Sequence, residues 1–367
     1  MRSSTLLAFV GILVTLTISP STSAKDFVVA QSLDLSGMSN LGKDFSNGIR
    51  TYFDAVNARG GVRGRKIQFV QLDDSGRATQ ALINIEKLLR EQEPDVLIAP
   101  TSSETFLGAV NMPRLQTSAL TLLGAPTGAE VSVGSGSFRV STLRATFRDE
   151  ARSLLDSLQT FSEGAIALVR GDGPDAAASH AALREEAQAR QLKIAFDGST
   201  TLWQARKSTL ERIGAVIISG DAIGAMPALQ HARRITPLAI VMGFSTIDHR
   251  TLIELGGASA KGMMITQVVP PPGKTIYPFQ REHRALMKQY RDEPPSQHML
   301  EGYIVARLLV AAYERVEGEP TQAKVSSAIR ALGAMDFGPM RISARSDNVG
   351  NRFADITAIS SKGGLVE

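Results

Sequence analysis

Two apolar periods alternate along this chain, and that alternation restricts the fold more than any other feature. Phe27-Val-Val-Ala-Gln-Ser-Leu33 reads as a buried strand. Phe45, Ile49, Tyr52, Phe53 and Val56 then recur every three to four residues, the mark of a helix with one apolar face, and Gly60-Gly61 stops it. The pattern repeats with strand 67–72, a helix marked by Leu82, Ile85, Leu88 and Leu89, strand 96–99 and strand 119–123. It restarts near Arg144. Helices are predicted over 147–159, 175–190 and 222–234, with strands at 165–169, 192–196, 216–218, 238–242 and 263–266. Pro270-Pro271-Pro272-Gly273 breaks the run as a linker does. Long helices at about 276–290, 297–317 and 321–332 follow, and short strands close the chain. Strand–helix alternation gives parallel sheets covered on both faces. The expected fold class is therefore α/β, with two doubly wound lobes.

A chain of 367 residues suits two domains better than one. Its Lys and Arg residues are scattered and its net charge is only +4, so no basic stripe suggests a nucleic-acid partner. The first residues combine a basic start at Met1-Arg2, an apolar stretch from Leu6 to Ser19, and small residues at Thr22 and Ala24. That three-part pattern predicts a signal peptide over 1–24, and the stretch is short for a membrane span. The chain is therefore expected to be exported. There is no cysteine, so disulfides, thiol catalysis and thiolate metal sites are excluded. The five histidines form no metal-binding pair, and no metal is expected.

The stretch 95–106, DVLIAPTSSETF, runs from a buried strand into three hydroxyls. Thr101-Ser-Ser-Glu104 fits a capping box with Thr101 as the cap. The same geometry can serve a ligand, because a helix start exposes unpaired N–H groups and a partial positive charge. With Ser102 and Ser103 beside it, such a start suits a carboxylate. In an open parallel sheet, ligands lie outside the carboxyl ends of strands, which is where these serines fall.

Other motifs read more plainly. Asp73-Asp74 at a strand end is expected to cap a turn. Gly171-Asp-Gly-Pro-Asp-Ala176 approaches a dinucleotide fingerprint, with Asp197 near a ribose-binding position, but a tight turn with Pro174 explains it without a cofactor. No cofactor is expected. No G-x-S-x-G elbow exists, since Gly243-Phe-Ser-Thr-Ile247 lacks the second glycine. Trp203 is expected to pack.

Asn57-Ala-Arg-Gly-Gly-Val-Arg-Gly-Arg-Lys66, followed by Val-Gln-Leu-Asp-Asp74, resembles the signature of the periplasmic leucine/isoleucine/valine-binding proteins. Leu35-Ser-Gly37, Gly42, the run LIAPTSSE and the Gly124-Ala125 turn extend the resemblance over nearly all of the chain after residue 24. It implies a type I periplasmic binding fold whose lobes are joined by a three-strand hinge. Lobe one would be 25–143 plus 271–347, and lobe two 144–270 plus 348–367. It also implies a monomeric, non-enzymatic solute receptor, of branched-chain-amino-acid type, for an ABC permease in the inner membrane.

The resemblance carries over site positions as well. Ser102, followed by Ser103, would hold a ligand carboxylate, aided by Gly124, Ala125 and Thr127. Leu41 replaces an aromatic that often covers the ligand. Asp175 stands where the family has one tyrosine, Asp221 or Ala222 where it has another, and Ser245 where it has the acid that grips an ammonium. The carboxylate half of the site is thus retained and the ammonium half rebuilt. Either Asp175 or Asp221 supplies the negative charge and the ligand remains an amino acid, or the ligand lacks an ammonium and is an aliphatic or aromatic acid or another small polar solute. Two rival functions are a nucleotide-using enzyme on a related fold and the ligand-sensing domain of a signalling system.

Overall fold

The computed structural model describes residues 25–37, 40–131, 136–161, 164–207, 212–343 and 350–366. The segment read as a signal peptide lies outside them.

Lobe one begins with β1 (Phe27–Leu33), α1 (Asn40–Ala58), β2 (Ile67–Asp73), α2 (Ala78–Glu91) and β3 (Val96–Ile98). It continues with α3 (Ser103–Val110), the short α4 (Pro113–Gln116), β4 (Thr121–Leu123) and β5 (Arg139–Ser141). These strands form one five-stranded sheet in the order β2-β1-β3-β4-β5, parallel throughout. The chain then crosses to lobe two: α5 (Phe147–Phe161), β6 (Ala165–Arg170), α6 (Ala176–Ala189), β7 (Ile194–Ser199), α7 (Thr200–Gln204), β8 (Ile213–Ser219), α8 (Ala222–Ile235), β9 (Ile240–Gly243), α9 (His249–Gly256) and β10 (Met264–Gln267).

A second crossing returns it to α10 (Pro278–Tyr290), α11 (Gln297–Tyr313), α12 (Gln322–Ala331) and the hairpin β11 (Met335–Phe337) with β12 (Met340–Ile342). A third crossing leads to β13 (Asp355–Ile359) and β14 (Leu365–Val366), which extend the second sheet. That sheet runs β14-β13-β10-β9-β8-β6-β7, with β13 antiparallel to β10. The third crossing is tied to the first, since Gly350 N–H donates to the Thr142 carbonyl at 2.8 Å.

The core explains why the late helices belong with the first sheet. Phe45, Ile49 and Phe53 on α1 are buried in one cluster with Leu300, Ile304 and Leu308 on α11. The two helices touch backbone to backbone through reciprocal glycines. A Cβ on Gly48 would lie 1.9 Å from the Met299 carbonyl oxygen, and one on Gly302 would lie 2.1 Å from that of Phe45. α11 is buried on nearly every side, which accounts for its almost continuous apolar sequence. In lobe two, Trp203 is fully buried and donates to the Ala228 carbonyl, so it packs as expected.

The near-fingerprint at Gly171 is a packing motif. A Cβ on Gly171 would lie 2.7 Å from the Ser219 carbonyl oxygen, and Gly173 has φ +117°. Asp197 is paired with Arg184 at 2.6 Å and His180 at 2.8 Å. β5, α4, α7 and α9 were not expected. Each is too short for a period to declare itself.

Candidate functional site

Six strands end at one place. Beyond the carboxyl ends of β1, β2 and β3 lie Asp34, Asp74 and Thr101; beyond those of β6, β8 and β9 lie Asp175, Asp221 and Thr246. Together they line a cavity of about 230 Å³ between the lobes. Leu41, Gly42, Ser102 and Thr105 add to the lobe-one wall, and Pro174 and Ile223 to the wall of lobe two.

The start of α3 sits on this cavity, with its register one residue later than the capping-box reading. Ser102, not Thr101, is the N-cap, and its Oγ accepts from Thr105 N–H at 3.1 Å. Ser102 also donates to Thr105 Oγ1 at 2.7 Å. Glu104 is exposed and makes no box.

The next residue carries the more telling contact. Ser103 N–H donates to Asp175 Oδ1 at 2.8 Å, the Ser103 hydroxyl donates to the same oxygen, and Thr127 Oγ1 joins them at 2.9 Å. Asp175 comes from lobe two. Two of the donors that the resemblance assigns to a ligand carboxylate, Ser103 and Thr127, are therefore held by the protein's own carboxylate. Burial pushes the Asp175 carboxyl up, against the pull of the Ser103 and Thr127 hydrogen bonds and of the Arg144 charge.

The remaining expected positions divide. Leu41, Ser102, Asp175 and Asp221 line the cavity. Ser103 and Thr127 lie one step behind it, on Asp175. Gly124 and Ala125 line a separate small void with Arg144 and Glu301. Ser245 is turned away from the cavity. Its hydroxyl accepts from Arg144, its N–H donates to Glu150 Oε2 at 2.9 Å, and neighbouring Thr246 takes the lining position.

Sequence reasoning missed a buried node beneath the cleft. Arg144, on the first crossing, contacts Glu150 of α5 at 3.1 Å and Glu301 of α11 at 3.4 Å. All three are buried. Burial works against the Arg144 charge, but Glu301, Glu150 and Asp175 more than restore it, and its pKa is raised. Glu301 was a readable signal, being the one acid inside the apolar run of α11. A partly buried pair, Arg250 with Asp44, and a bond from Gln297 to the Ser245 carbonyl at 3.2 Å also link the lobes.

Asp73 and Asp74 cap turns as expected, but Asp74 also faces the cavity. Asp73 accepts from Leu35 and Ser75 N–H groups; burial raises its pKa, yet these bonds and those from Ser36 and Ser75 hydroxyls hold it at about 2. Asp74 accepts from Ser32 Oγ at 2.8 Å and Gly76 N–H at 3.0 Å. Burial pushes Asp74, Asp34 and Asp221 all upward, and none has a cation close enough to reverse this. Among the described residues no cluster of His, Cys, Asp or Glu is placed to hold a metal ion.

A family model described as periplasmic binding protein matches residues 28–364. The chain belongs to the periplasmic binding protein family. Solved structures agree on the fold of this binding protein. An extracellular ligand-binding receptor from Verminephrobacter eiseniae superposes with a TM-score of 0.82 at 21% identity, over 93% of this chain and 100% of that one. A substrate-binding periplasmic protein from Ralstonia solanacearum gives 0.81 at 24%, over 93% and 99%. A branched-chain amino acid ABC transporter protein from Thermus thermophilus, solved with bound valine, gives 0.78 at 18%, over 94% and 95%. No curated protein matches the sequence. The architecture is thus the two-lobed type I periplasmic binding fold.

Proposed function

We propose that this protein is an exported solute receptor of an ABC importer, which closes its two lobes on one small polar solute and delivers it to a membrane permease without chemical change. The observation that carries the reading is the cavity itself. It lies at the carboxyl ends of the parallel strands of both sheets, where open α/β folds bind ligands, and both lobes wall it. At about 230 Å³ it falls below the roughly 300–1,000 Å³ of drug-sized sites, which suits a metabolite of amino-acid size. The membership of the family supports periplasmic residence, and the valine-bound Thermus neighbour supports the size class. Contacts from both lobes to one solute would favour the closed form over the open one.

The test is a thermal-shift screen of the purified protein over amino acids, amines, organic acids, amides and sugars, followed by small-angle X-ray scattering with each hit. A true solute raises the melting temperature with concentration and reduces the radius of gyration. A library that shifts nothing, or hits that stabilise without compaction, would overturn the reading.

A further inference from the structure

The start of α3 is an anion seat on physical grounds, because its first N–H groups are unpaired and carry the positive end of the helix dipole. Here the seat is filled from within. Asp175 reaches across from lobe two and takes Ser103 N–H, Ser103 Oγ and Thr127 Oγ1 on one oxygen. The residue is only 3% exposed. Its other oxygen, Oδ2, accepts no hydrogen bond from a described residue, while the side chain lines the cavity. An incoming carboxylate would meet a seat already occupied, with a like charge beside it.

The rest of the wall has the same sign. Asp34, Asp74 and Asp221 line the cavity, and no Lys, Arg or His is among the described residues that do. Arg144, whose charge Asp175 feels, is itself held by Glu150 and Glu301. Buried carboxylates without a cation are costly, and a ligand that brings one relieves the cost. A bare metal ion does not fit, since the acids do not gather around one point. Leu41, Pro174 and Ile223 offer apolar surface to an organic body.

We propose that Asp175 is a built-in carboxylate that bars acids from the anion seat, and that the cleft takes a small organic amine carrying positive charge and no carboxylate. The proposal rests on the reading that this cavity binds the transported solute. It makes Asp175 a specificity-determining residue, with Asp34 and Asp221 as the partners of the ammonium.

The experiment compares matched probes by thermal shift and calorimetry: short alkylamines and diaminoalkanes, carboxylic acids of the same length, amino acids that carry both groups, and neutral amides. Wild type should bind the best amine at least about tenfold more tightly than its matched acid or amino acid, the value of one charge-assisted hydrogen bond. Asp175→Ala empties the seat, so amino acids should gain about tenfold over wild type while the plain amine does not. Asp175→Asn keeps the seat filled and should show no such gain. If Asp175→Ala does not fold, the wild-type ratio decides alone. Acids, amino acids or amides that bind wild type as well as amines do would overturn the amine assignment while leaving a solute receptor. Silence from every probe class would overturn the amine assignment, and the wider solute screen then decides the receptor reading.

Discussion

Two acid-rich regions lie within a few side chains of each other, and they are built on opposite terms. At the node beneath the cleft, Glu150 and Glu301 share Arg144, and His298 lies 3.6 Å from Glu301, so the buried acids have a cationic partner inside the protein. In the cavity above, Asp34, Asp74 and Asp221 have hydrogen-bond donors but no cation among the described lining residues. The node serves folding, because it joins the first crossing to α5 and α11. The cavity leaves its charge open, and an open charge in a buried place is a request for a ligand. The difference teaches where in one molecule electrostatics has been completed and where it has been withheld.

The largest effect should come from breaking the completed side. Arg144→Ala removes the arginine that two buried glutamates share, and chemical denaturation should show a loss of roughly 3–5 kcal/mol. If the variant loses less than a surface substitution would, the node does not hold the lobes as described. Next is a buried histidine with no charge partner. His283 packs against Tyr303 in lobe one, and burial lowers its pKa to about 4. The unfolded chain then binds a proton that the folded one refuses between pH 6.5 and about 4. Its contribution is present above pH 6.5 and is lost as pH falls, by roughly 3 kcal/mol at the limit. His283→Gln should flatten the acid limb of the melting-temperature profile; an unchanged limb would count against a neutral buried imidazole.

The cavity acids predict the opposite slope. Their folded pKa values are raised, so they favour the folded state at low pH, and that contribution fades as pH rises through the folded values. A bound amine would need them ionised, so its affinity should climb over the same range, above the ordinary carboxylate region. Calorimetry at stepped pH would read this directly, and an affinity that falls with rising pH there would contradict it. The smallest stability change should follow Asp34→Asn. It removes a half-buried charge with no cationic partner, so unfolding at neutral pH should shift by less than about 1 kcal/mol, while amine affinity drops about tenfold. A large loss of stability with unchanged affinity would place Asp34 with the node instead of with the ligand.

The sequence made much of this legible, and the limits have physical causes. Strand–helix alternation exposed both lobes because each element buries one face at its own period. The rule that ligands lie past strand ends pointed Ser102 to the cavity wall, and the family resemblance pointed Asp175 and Asp221 there. Register was harder. Thr101 and Ser102 are equally good caps in isolation, and only the packed backbone chose the second. The same one-residue slip set Ser245 on Arg144 and Thr246 on the cavity. Long-range pairing was invisible. Ser103 and Asp175 are 72 residues apart and Arg144 and Glu301 are 157 apart, so no local period links them. The resemblance offers Asp175 or Asp221 as one alternative source of negative charge for a ligand's ammonium, whereas one oxygen of Asp175 answers the protein's own helix.

A crystal structure with the natural solute bound tests the central claim most directly. The account predicts Asp175 still on Ser103 and Thr127, and the solute's cationic nitrogen within hydrogen-bond reach of Asp34 or Asp221. A solute whose anionic group sits on Ser103, with Asp175 displaced from α3, would contradict it.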